Sequence, residues 1–91
     1  MSVAIRITPQ QMSHADYEQM IGELEAAGVH EPEGRRFHAA FGDDDEVHIF
    51  EVWDSAEQFD AHQTRVADVL EGAGFDGGVV EVHDLHAHRY D

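Results

Sequence analysis

The run Glu46-Val47-His48-Ile49-Phe50-Glu51-Val52-Trp53 constrains this chain more than any other segment. Successive residues of a strand point to opposite faces, so Val47, Ile49, Glu51 and Trp53 share one face and His48, Phe50 and Val52 the other. Both faces are largely apolar. A strand of this kind needs cover on both sides, which a single layer of helices cannot supply.

The flanking segments show what one layer of cover is made of. Residues 2–8 alternate Val3, Ile5 and Ile7 against Ala4 and Arg6, a strand pattern that Pro9 ends. Ser13 with Asp16 three residues on forms a capping box, and Tyr17, Met20, Ile21, Leu24 and Ala27 follow at helical spacing up to Gly28. After the loop His30–Gly34, strands over Arg35–Phe41 and Glu46–Trp53 should pair as an antiparallel hairpin across Gly42-Asp43-Asp44-Asp45. Asp54-Ser55 caps a second helix whose inward face is Ala56, Phe59, His62, Val66, Val69, Leu70 and Ala73. Glycines 72, 74, 77 and 78 interrupt its exit, and a last strand runs from Val79 to about His86.

The order βαββαβ predicts an α+β, ferredoxin-like domain over residues 1–91: a four-stranded antiparallel sheet with two helices on one face. The uncovered face of the sheet then calls for a second copy, giving a homodimer with facing sheets. At 91 residues the chain buries only part of its surface alone, which favours the same solution.

Charge narrows the partners. Twenty carboxylates stand against five arginines with no lysine, a formal charge of −15. Such a surface repels phosphate backbones and anionic lipids, so neither nucleic acid nor membrane is an expected partner. No apolar run reaches the roughly 18 residues needed to span a bilayer, and Met1–Gln10 lacks the pattern of a secretory signal. A cytoplasmic location is the default expectation. The absence of cysteine removes disulfides, thiolate nucleophiles and thiolate metal ligands. Walker, dinucleotide-binding, nucleophile-elbow and H-E-x-x-H motifs are all missing.

The stretch Phe50-Glu51-Val52-Trp53-Asp54-Ser55-Ala56-Glu57-Gln58-Phe59-Asp60-Ala61-His62 resembles the E-x-W-x-S-x-E-x-F-x-x-H pattern of dimeric α/β-barrel proteins, the superfamily of the antibiotic biosynthesis monooxygenases. The loop ahead of Phe37-His38-Ala39-Ala40 agrees with that layout. The resemblance implies a homodimer with a small-molecule pocket between sheet and helices. It also implies, as one activity, cofactor-independent oxidation or proton transfer on a small aromatic or polyketide-like compound. Isomerases and uncharacterised proteins share the superfamily, so a non-catalytic small-molecule-binding or stress-associated protein is the alternative, and a haem or metal binder ranks behind it. The haem-degrading branch places an asparagine on its first strand, and this chain has none. No cofactor is expected.

Within that pocket, His62 is the candidate acid/base, because imidazole titrates near neutrality; the competing reading is a core histidine held by a backbone carbonyl or by Glu51. Glu51, a carboxylate on an apolar face, needs a partner: Arg6, Arg35 or a histidine that it orients. Trp53 is either a pocket wall or a plug between strand and helix, and His38, Tyr17 and Phe59 join it as candidate ligand contacts. His38 and His48 sit on paired strands and point to the pocket, the dimer interface or the sheet edge. His86 and His88 share a strand face, a start on a metal site that lacks a spaced third ligand, so no metal is expected. The acidic loop Asp43–Glu46 lacks calcium-loop spacing and reads as a charged hairpin tip.

Overall fold

Six elements follow in the expected order: β1 (Val3–Thr8), α1 (His14–Ala26), β2 (Arg35–Asp43), β3 (Glu46–Trp53), α2 (Ala56–Ala73) and β4 (Val79–Asp84). They come from a computed structural model that describes residues 2–74 and 78–87. The four strands make one antiparallel sheet in the order β2-β3-β1-β4, the ferredoxin-like topology. None of its helices is long and apolar enough to cross a membrane, among the described residues.

Local chemistry sets the helix ends. The Ser13 hydroxyl accepts from Asp16 N at 3.1 Å while Ser13 N donates to the Asp16 carboxylate at 3.2 Å, a closed capping box. At the other end of α1, Gly28 N bonds Glu25 O and Val29 N bonds Leu24 O, with Gly28 at φ +74°. That double closure is a Schellman motif, which needs a left-handed residue. Ser55 caps α2 through Gln58 N at 3.2 Å.

Two boundaries differ from the sequence reading. The β2–β3 hairpin is tighter, with Asp43 paired to Glu46 and only Asp44-Asp45 in the loop. Gly42 permits this: it lies at φ +115°, and a Cβ there would fall 2.4 Å from Glu46 O. Strand β4 stops at Asp84, short of His86: Asp84 pairs with Val3, the first residue of β1, and only the bond from Leu85 N to Ser2 O at 3.0 Å follows. His88 lies outside the described residues.

The register also carries a bulge. Arg35 pairs with Trp53, yet Phe37 already pairs with Val52, so Arg36 is the extra residue. Its guanidinium turns outward to a two-bond contact with Asp54 at 2.9 and 2.7 Å. The bulge reverses the strand's alternation, so Arg35 and His38, three positions apart, both reach the helix-facing side.

The core gathers in two clusters on that side. Met12, Met20, Leu24, Val47, Ile49, Val66 and Leu70 form one; Val3, Ile5, Trp53 and Phe59 form the other. Along β3 the first ends at Ile49 and the second begins at Trp53, with Glu51 between; along α2, His62 separates Phe59 from Val66 in the same way. The two buried titratable side chains among the described residues therefore sit at the seam. The opposite sheet face carries Phe37 and Phe41, 38% and 50% exposed, together with Phe50. No helix among the described residues covers it.

Candidate functional site

A cavity of about 330 Å³ opens between the helices and the sheet, and the seam residues Glu51 and His62 reach its wall. The apolar part of the lining comes from α1 and α2 at three- and four-residue steps, including Met20, Leu24, Val66 and Leu70, with Ile49 from β3. The polar part is Tyr17, Arg35, His38, Glu51 and His62, with Glu25, His30 and Glu31 among the remaining lining groups.

Four of the polar groups are joined. Glu51, 5% exposed, receives Trp53 Nε1–H on one carboxylate oxygen at 2.8 Å. Its other oxygen meets His38 Nδ1 at 2.5 Å and Arg35 Nη1 at 3.4 Å. His38 Nε2 in turn meets the Tyr17 hydroxyl at 2.6 Å, the rings stacked with centroids 6.1 Å apart. Burial pushes the Glu51 carboxyl up, but the hydrogen bonds from His38 and Trp53 and the nearby charges more than offset it, so its pKa falls below the ordinary value. An ionised Glu51 can only accept, so His38 donates from Nδ1; in the neutral imidazole Nε2 then accepts from the Tyr17 hydroxyl. Tyr17 stays neutral: burial raises its pKa, Arg35 opposes this, and Glu51 adds to it.

His62 stands apart from this chain. Its ring lies against Trp53, centroids 5.3 Å apart, and makes no hydrogen bond among the described residues. Burial lowers its pKa, with Glu51 opposing and Arg35 and Arg65 assisting. It is a neutral imidazole facing the cavity. Glu51 thus orients His38 and not His62, and its arginine is Arg35; Arg6 lies across the sheet, opposite Phe50 and Glu81.

The other residues singled out from the sequence fall into separate places. Tyr17 and His38 line the cavity; Trp53 and Phe59 do not. Trp53 is fully buried, packed edge-on against Phe59 with centroids 5.6 Å apart, and supports the wall from behind through its bond to Glu51. His48 is on the opposite face, stacked on Phe41 at 5.5 Å. Its Nδ1 is buried with no hydrogen-bond partner among the described residues. No group of three potential metal-ligating side chains occurs among the described residues. Met12 was not legible as core in the sequence, since it sits in a loop; its carbonyl accepts from Val47 N at 2.9 Å, which holds the loop on β3.

A ferredoxin-like sheet, two helices and a seam cavity define the class: a small α+β protein with a pocket between sheet and helices. The family model of the antibiotic biosynthesis monooxygenases matches residues 1–67, and the chain belongs to that family. Solved structures share the fold at low identity. SnoaB, a cofactor-independent oxygenase from Streptomyces nogalater, is 15% identical with a TM-score of 0.61, the match covering 96% of this chain and 93% of that one. A protein of unknown function from Nitrosomonas europaea is 15% identical with a TM-score of 0.62, covering 99% and 92%. A protein from Mycobacterium tuberculosis is 16% identical with a TM-score of 0.55, covering 98% and 95%. None of the curated proteins matches the chain in sequence.

Proposed function

We propose that this chain is a homodimeric small-molecule-pocket protein that removes a proton from a small aromatic or polyketide-like compound, as the first step of a cofactor-independent oxidation. One observation carries the reading: an apolar cavity of about 330 Å³ is lined by His38, which a carboxylate orients, and by His62, a neutral imidazole whose ring has no hydrogen-bond partner among the described residues. That volume is at the low end for ligand pockets and suits a compact planar molecule. Neutral imidazole is a competent base near neutral pH, and His62 is positioned to act as one within an apolar lining. For an activated methylene the overall change is oxidation to a carbonyl by dioxygen, one oxygen atom entering the product and the other leaving as water with the two hydrogens. Family membership and the fold shared with a cofactor-independent oxygenase favour this chemistry. Pairing of two copies through Phe37, Phe41 and Phe50 would cover the open sheet face.

The test is oxygen consumption with 1,8-dihydroxyanthrone as the probe, alongside thermal-shift binding. Uptake that is lost in His62→Ala supports the oxidation. Stabilisation by the probe without uptake, weakened in His62→Ala, would instead identify a binding protein that does not turn its ligand over. The absence of both binding and uptake would refute the pocket reading.

A further inference from the structure

We propose that Tyr17 is the group through which a bound phenol or enol gives up its hydroxyl proton, which the relay delivers to His38 opposite Glu51. This rests on the pocket reading above and names the contact atom and the ligand chemistry. With Glu51 accepting from His38 Nδ1–H, and His38 Nε2 accepting from the Tyr17 hydroxyl at 2.6 Å, the only proton on Tyr17 Oη is already committed. What Oη can offer the cavity is a lone pair. A ligand that presents an O–H there is complementary; one that presents only a carbonyl or ether oxygen meets an acceptor with an acceptor. Tyr17 is the end member of the chain of hydrogen bonds, and it lines the cavity, as His38 and Glu51 also do.

The transfer balances within the site. The ligand O–H bond breaks and an O–H bond forms on Tyr17 Oη. The original Tyr17 proton moves to His38 Nε2, giving an imidazolium held by the Glu51 carboxylate and a ligand oxyanion. No oxidant is involved. Trp53 Nε1–H and Arg35 Nη1 hold Glu51 in place throughout, at 2.8 and 3.4 Å. The other charged or titratable groups facing the cavity are His62, His30, Glu25 and Glu31. Two of those are acidic, and with a formal charge of −15 on the chain the approach of an anion is disfavoured. The ligand therefore enters as the neutral phenol or enol and ionises only at Tyr17.

The test uses the full-length protein and two chromophores of one shape, 4-nitrophenol and its methyl ether 4-nitroanisole. The wild type should bind the phenol at least about ten-fold more tightly than the ether, and the bound phenol should show its phenolate absorption at lower pH than in the Tyr17→Phe variant. Tyr17→Phe should bind both compounds alike, with the phenolate band displaced to higher pH. His38→Gln should lose the early phenolate band of whatever 4-nitrophenol it binds at saturation, a readout that a merely structural hydrogen bond would not move; it also stands alone should Tyr17→Phe fail to fold. Equal binding of the two compounds by the wild type, or an unchanged band in Tyr17→Phe or His38→Gln, overturns the relay and leaves the pocket reading intact. If the wild type binds neither compound, both fall.

Discussion

Glu51→Gln is the perturbation whose size follows most directly from the geometry. The carboxylate holds three donors, at 2.5, 2.8 and 3.4 Å, and is almost wholly buried. Glutamine keeps the shape and one carbonyl acceptor but loses the charge. The two short contacts are on different oxygens, so one becomes a neutral bond to the carbonyl and the other faces the amide NH2, a loss of at least about 1 kcal/mol each, or about 2 kcal/mol together. The longer Arg35 contact adds little. For a domain of this size each kcal/mol lowers the melting temperature by roughly 4–8 °C, so the variant should melt about 8–16 °C below the wild type at pH 7. The pH dependence has a definite sign. Because the folded carboxyl is held below its unfolded pKa of about 4.3, its contribution is complete above that pH and is lost as pH falls through the lower folded value. The two melting curves should therefore converge in acid. The assay is thermal unfolding followed by circular dichroism from pH 7 to pH 3, at fixed protein concentration because the melting of any self-associating protein depends on it. A variant that melts with the wild type at pH 7, or a gap that persists unchanged in acid, would refute the account of Glu51 as a charged anchor.

Other expectations follow from the same features. His62 is held below its ordinary pKa by burial, so protons bind the unfolded chain first; stability should fall as pH drops below about 6.5, and His62→Gln should flatten that slope between pH 7 and 5 in urea titrations. With a formal charge of −15, the melting temperature should rise with added salt up to about 1 M, as the Debye length shrinks from about 10 Å at 0.1 M to about 3 Å; a flat or falling response would remove self-repulsion as a factor. If two copies pair through the open sheet face as proposed, Phe50→Glu, beside Phe37 at 6.1 Å, should halve the mass seen by light scattering while sparing the helix-side core; an unchanged mass would refute pairing through that face.

The element order, both serine caps, the glycine stop of α1 and the two-faced character of β3 were written in the sequence, because each depends on residues within a few positions of one another. So was the choice of Glu51 and His62 as residues that need an explanation, since a carboxylate and an imidazole on apolar faces are anomalous in any register. What only the tertiary structure decided was which groups meet. Strict alternation along β2 would set Arg35 and His38 on opposite faces; the bulge at Arg36 brings both to Glu51, and its presence depends on how β2 pairs with β3. Trp53 could be read as wall or plug until its indole N–H was seen bonded to Glu51, behind the cavity surface. Tyr17 read as one apolar step of a helix and a candidate ligand contact, and its role as the last member of a hydrogen-bonded chain arises only because α1 lies across β2 at His38. Periodicity is local and survives in one dimension. Partnership between side chains 13 or 21 residues apart is set by strand register and helix docking, which the linear pattern does not encode.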